Sequence, residues 1–210
     1  MTAGFLEEPP ISPQAQALYD EDVKETGYVW NVSQLWAYQP DTMEHLFELM
    51  SQAFKPSGLD FRQRGILVAA AASTLLDSYC SLAWGGKLSG ASDPILAAGV
   101  LNGTDTGLTD QEEAMASWAR KIVKDPNATT PADLQELRDA GLTDRQIFAI
   151  TAFVALRVAF STINDALGAS PDAQLVESLP PAVTQSVTYG RRPIPTDPGQ
   201  IPPDQPNKSR

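Results

Sequence analysis

The chain has one cysteine and one histidine among 210 residues, and each scarcity excludes a class of chemistry. A single thiol, Cys80, cannot form an intramolecular disulfide, so the sequence fits a reducing compartment and a cytoplasmic protein is expected. One histidine and one cysteine, far apart along the chain, make a poor ligand set, so no metal and no cofactor is expected. Positive charge is also short: 15 Lys and Arg stand against 26 Asp and Glu, a formal net charge of −11. That balance lacks the basic patch a phosphate backbone or an anionic bilayer requires, so neither nucleic acid nor a membrane is an expected partner. The opening MTAGFLEEPPIS has no basic stretch leading into an apolar one, and no secretory signal is expected. Apolar runs such as Ile66–Ala72 are too short to span a bilayer. No stretch alternates with period two over a useful length, so no sheet is expected, and no Gly-rich phosphate loop follows a strand.

What is present is helical pattern. Residues 1–40 read as a helical arm: Ser12-Pro13 is a cap followed by a first-turn proline, and Tyr28, Trp30 and Trp36 must pack on something. Residues 41–179 read as one helical domain. Met43, Leu46, Phe47, Met50 and Phe54 recur at helical spacing and mark a buried face. Asp60 and Gln63 are spaced as an N-cap and its reciprocal partner, ahead of a helix that is apolar all round and therefore central. Asp77 opens a helix ending near Gly90, and Asp93-Pro94 starts a short one. Thr109 with Glu112, and Thr143 with Gln146, read as capping boxes for two longer helices, the second running to Gly168. Residues 180–210 carry 8 prolines in 31 positions and read as a proline-rich extended tail.

If Asp77 is an N-cap, Cys80 falls at the third helical position, where unpaired backbone N–H groups favour a thiolate. The Asp77 carboxylate competes for the same N–H groups, and burial against the 66–76 helix raises the thiol pKa further. A lone cysteine in a helical protein is also an ordinary small core hydrophobe. His45, roughly opposite the Met43/Phe47/Met50 face, is expected in solvent.

The stretches DSYCSLAWGGKLSG, LTDQEEAMASWARKIVKDPNATTPADLQELRDAGLTDRQIFAI and INDALG carry a resemblance. Across residues 41–168 the chain resembles the alkylhydroperoxidase D-like and carboxymuconolactone decarboxylase family, in particular its peroxidase-related branch. The resemblance implies an all-α fold and homo-oligomers from dimer to hexamer. It also implies a thiol site in which a Cys-x-x-Cys pair, a glutamate and a histidine reduce hydroperoxides. Carried over position by position, Cys80 stands for the attacking cysteine. Asp77 stands where the resolving cysteine would be, Trp84 where the histidine would be, and Gly65 on or next to the glutamate. A sulfenic acid at Cys80 would then need an external thiol donor, and neither Trp84 nor Gly65 can shuttle a proton near neutral pH.

Arg157 interrupts the apolar run TAFVALRVAF, with Ser161, Asn164 and Asp165 on the same side of the helix. Two readings stand: a solvent-facing stripe, or a buried stripe facing the Cys80 helix with Arg157 neutralised by Asp77 or Asp165. Three functions follow. The first is a one-cysteine, thiol-dependent hydroperoxide reductase acting through Cys80. The second is an inactive family member serving as an oligomeric binding or structural module, and the third a lactone decarboxylase-like lyase. The aromatic arm and the proline-rich tail are candidates for covering a neighbouring subunit.

Overall fold

The computed structural model describes residues 4–195, and among them there are eleven α-helices and no strand beyond an isolated bridge between Asp172 and Ile194. The helix starts follow local capping chemistry. In α1 (Pro13–Thr26) the Ser12 hydroxyl accepts the Ala15 backbone N–H, and Gly27 ends the helix at φ +87°. In α4 (Phe61–Leu75) Asp60 and Gln63 cap each other reciprocally, as Thr109 and Glu112 do for α7 (Asp110–Lys124). Thr143 and Gln146 do the same for α9 (Asp144–Ala166). Each such box satisfies N–H groups that a helix start leaves unpaired.

The centre of the molecule is α4. Its residues Gly65 to Ala72 are all buried, and it packs against α7, α9, α5 (Ser78–Ala91) and α6 (Pro94–Asn102). The run Ala69 to Ala72 lets four neighbours approach one axis, because a methyl group adds little to the helix radius. α3 (Pro40–Phe54) buries Met43, Met50 and Phe54 against α9, and His45 lies exposed as expected. α9 has the length and apolarity of a membrane span, properties that a core helix shares, and here it packs against α3, α4 and α7.

Three segments differ from the sequence pattern. α2 (Asn31–Trp36) is a helix with every residue buried, although its polar Asn31, Ser33 and Gln34 show no apolar period. Within the arm, Trp36 is 5% exposed and stacks on Phe160 of α9, so it serves this chain's own core. The proline-rich stretch is not extended from its start. α10 (Ala173–Glu177) is followed by α11 (Pro181–Ser186), whose Val183 is fully buried against α5 and α6. Pro181 takes the first helical position, where a missing N–H costs nothing. Gly85 makes the docking possible, since a Cβ there would lie 2.9 Å from both Val183 Cγ1 and Leu101 Cδ1. Residues 196–210 of the expected tail lie outside the described residues.

Candidate functional site

The turn between α4 and α5 places Cys80. Leu76 adopts the left-handed conformation at φ +61°, so the chain reverses within two residues and Asp77 becomes the N-cap of α5. Asp77 Oδ1 accepts the Cys80 backbone N–H at 2.9 Å, which puts Cys80 in the first turn, as the spacing predicts. Cys80 is 3% exposed. Two side chains of α9 reach it: Arg157 Nη2 donates to Sγ at 3.4 Å and Ser161 Oγ donates at 3.6 Å. Met50 of α3 also reaches Arg157, its sulfur 4.0 Å from Nη1.

The thiol pKa is pushed well above its ordinary value. Burial is the largest cause, because a thiolate loses its water, and the neighbouring negative charge of Asp77 adds to it. The positive charge of Arg157 and the Ser161 hydroxyl act the other way without prevailing. At rest, therefore, Cys80 is a thiol between a carboxylate and a guanidinium.

Arg157 is buried and faces Cys80, so the buried-stripe alternative holds, with Ser161 and Asn164 buried beside it. Its expected neutralisation does not hold. Among the described residues the ion pairs are Arg62–Glu112, Arg120–Asp105, Lys121–Asp133 and Arg138–Asp144, and Arg157 pairs with neither Asp77 nor Asp165. The reason is geometric. Asp77 spends Oδ1 on the α5 cap, and Asp165 lies two turns further along α9, where burial and the charge of Asp77 raise its pKa to about 6. Arg157 instead rests on rings, its Cζ 5.5 Å from the Trp84 centroid and 5.1 Å from that of Phe160. Its Nε is buried with no hydrogen-bond partner, and Asp77 Oδ2 is buried with no N–H or O–H partner. A desolvated cation–π contact returns about 2 kcal/mol, whereas burying an uncompensated guanidinium costs several kcal/mol. The rings do not offset the burial.

Gly65 and Trp84, the other two positions singled out in the sequence, are packing positions. Gly65 lies on the buried face of α4, and a Cβ there would meet Leu88 Cβ and Cδ1 of α5 at 3.3 Å. A side chain at this place would press on Leu88, which would have to yield by a few tenths of an ångström. Trp84, 7% exposed, collects cations: besides Arg157, Arg64 Cζ lies 5.4 Å and Lys87 Nζ 5.1 Å from its ring centroid. Phe61, 52% exposed, sits 6.0 Å from the same ring. Sequence reasoning had no signal for Arg64 and Lys87 beyond basic residues on otherwise apolar helices. Their convergence requires α4, α5 and α9 to be in place.

A strap from the C-terminal side lies over the start of α5. Tyr189 OH donates to Ser81 Oγ at 3.0 Å, and Ser78 Oγ donates to the Arg191 carbonyl and accepts its backbone N–H at 3.0 and 2.9 Å.

No protein-family model matches the chain, and no curated protein sequence matches it. Solved structures do. The alkylhydroperoxidase AhpD core of an uncharacterized peroxidase-related protein from Ralstonia eutropha JMP134 superposes with a TM-score of 0.74 at 23% identity, covering 83% of this chain and 95% of that one. A peroxidase-related protein from Silicibacter sp. TM1040 gives 0.72 at 20% identity, with the same 83% and 95% coverage. The debrominase Bmp8 gives 0.65 at 14% identity over 83% of this chain and 92% of that one. A cysteine-to-alanine variant of that debrominase, in complex with 2,3,4-tribromopyrrole, gives 0.66 at 15% identity over 89% of this chain and 97% of that one. The chain therefore has the all-α alkylhydroperoxidase D-like fold.

Proposed function

We propose that the chain is an alkylhydroperoxidase-like, peroxidase-related protein that reduces hydroperoxides through a single cysteine, Cys80, with an external thiol as donor. The observation that carries the reading is the Arg157 guanidinium at 3.4 Å from Cys80 Sγ with no carboxylate of its own. A cation held so, at a cost in stability, stabilises negative charge that forms on the sulfur during reaction. Asp77, standing where the resolving cysteine would be, accepts the thiol proton through its unengaged Oδ2. The sulfur attacks the terminal peroxide oxygen, the O–O bond breaks, and the departing alkoxide takes the proton back from Asp77, leaving a sulfenic acid at Cys80 and an alcohol. One external thiol condenses with the sulfenic acid, releasing water and leaving a mixed disulfide. A second thiol displaces Cys80 and leaves as the external disulfide. That a debrominase of this fold is described with a cysteine replaced and a small brominated ligand bound supports a cysteine-centred site for small organic molecules.

A second reading, a binding module without turnover, is favoured by one observation, the burial of the thiol and the resulting rise in its pKa. Peroxide consumption by the full chain with a small dithiol donor separates the two. Turnover that disappears in Cys80→Ser supports the reductase; the absence of turnover supports the module.

The exposed face of α9, with Phe148, Ala155, Ala159 and Ile163, supports a homo-oligomer built through this helix, and light scattering that gives a monomer would sink it. The single thiol supports a reducing compartment such as the cytoplasm.

A further inference from the structure

Three basic side chains meet at Trp84, in a protein with a formal net charge of −11. The contrast with a neighbour on the same helix is informative. Arg62 forms a two-pronged pair with Glu112, at 2.7 and 3.0 Å. Arg64, two residues on, has no side-chain hydrogen bond and no ion pair among the described residues, and its Nε is buried without a partner. Its guanidinium lies among rings instead, 5.6 Å from the centroid of Phe54, 5.4 Å from Trp84 and 5.3 Å from Phe153. Arg157, 4% exposed, has only sulfur acceptors within reach. The two guanidiniums are near enough that burial first, and the charge of Arg157 next, lower the pKa of Arg64. Two like charges in a shared apolar setting repel and lack acceptors, an arrangement that one anion between them relieves twice over.

The geometry points to a binding site for the carboxylate of a small organic acid, formed by Arg64, Arg157 and Trp84 beside the sulfur of Cys80. Guanidinium forks match the planar two-oxygen face of a carboxylate. The rings of Phe54, Phe153 and Phe160 against the two guanidiniums make their setting apolar, which favours an anion carried on an apolar body over a strongly hydrated one such as free phosphate. Lys87, exposed and 5.1 Å from the Trp84 ring, adds positive charge at the outer side and guides an anion inward. The substrate class this adds to the thiol chemistry is a hydroperoxide bearing a carboxylate. That part rests on Cys80 being the reacting group, whereas carboxylate binding itself does not.

Titration calorimetry of the full chain with benzoate, and with benzyl alcohol as its uncharged counterpart, tests the site. Benzoate is expected to bind the native chain and Cys80→Ser alike, with benzyl alcohol at least tenfold weaker. Arg64→Gln is expected to weaken benzoate about tenfold, the loss of one charge-assisted pair. Arg64 is partly exposed and its side chain makes no hydrogen bond among the described residues, so this variant keeps the fold, which the melting temperature reports. Undetectable benzoate binding, equal binding of the alcohol, or binding unchanged in Arg64→Gln overturns the inference. Benzoate binding without peroxide turnover leaves the site standing and removes the thiol reading; turnover without benzoate binding does the reverse.

Discussion

Tyr79 and Cys80 are adjacent in sequence and point into two different kinds of buried polar environment. The Tyr79 side is complete. Its hydroxyl donates to Asp172, Asp172 also accepts the Asn31 backbone N–H at 2.8 Å, and Asn31 Nδ2 donates to the Ser170 carbonyl at 3.1 Å. The ring of Trp30 stacks over Tyr79 at 6.5 Å, and together these contacts fasten α2 and the segment before α10 to α5. The Cys80 side is incomplete: Arg157 Nε and Asp77 Oδ2 are buried with no hydrogen-bond partner, and the contacts to the sulfur are long. Satisfied buried networks stiffen a fold, and unsatisfied ones lower its stability. One helix turn thus carries both an anchor and an unsatisfied polar cluster, and the second is where the proposed chemistry is placed.

Mutations on the two sides are expected to differ in sign. Asp172→Ala strands the Tyr79 hydroxyl and the Asn31 N–H in the interior, and urea unfolding should show a loss of about 3 kcal/mol. Arg157→Met replaces an unpaired buried cation by an apolar chain of similar length. Its stability should stay level or rise by about 1 kcal/mol, while turnover at Cys80 falls. A loss from Arg157→Met as large as that from Asp172→Ala would erase the distinction between anchor and site.

Much of the fold was legible because helix starts are local. Asp60 with Gln63, Thr109 with Glu112 and Thr143 with Gln146 each announce a helix through a three-residue spacing that no tertiary contact alters. The same locality placed Cys80 three residues after its cap. α2 and α11 were not legible. Their helicity comes from burial against the core, which a six-residue stretch rich in polar residues or proline does not advertise. At the site, the inward direction of Arg157 was one of two open readings, but its lack of a carboxylate depends on where Asp77 directs its oxygens. Arg64 carried no sequence signal, because α4, α5 and α9 must assemble before it meets both Trp84 and Arg157.

The raised thiol pKa also fixes a sign for stability. In the folded state Cys80 stays protonated at a pH where the unfolded chain's thiol, with its ordinary value of 9.0, has ionised. The contribution is therefore fully present below about pH 9 and is lost as pH rises above it, towards the higher folded value.

The central claim is that Cys80 rests as a thiol because burial and Asp77 hold the proton there, with Arg157 ready for the charge that forms in reaction. The pH dependence of Cys80 alkylation, in the native chain and in Asp77→Asn, addresses it most directly. A midpoint above about pH 9 in the native chain, moving to lower pH once the carboxylate charge is removed, is the predicted result. A native midpoint at or below the ordinary thiol range, or one that Asp77→Asn leaves in place, would contradict the account.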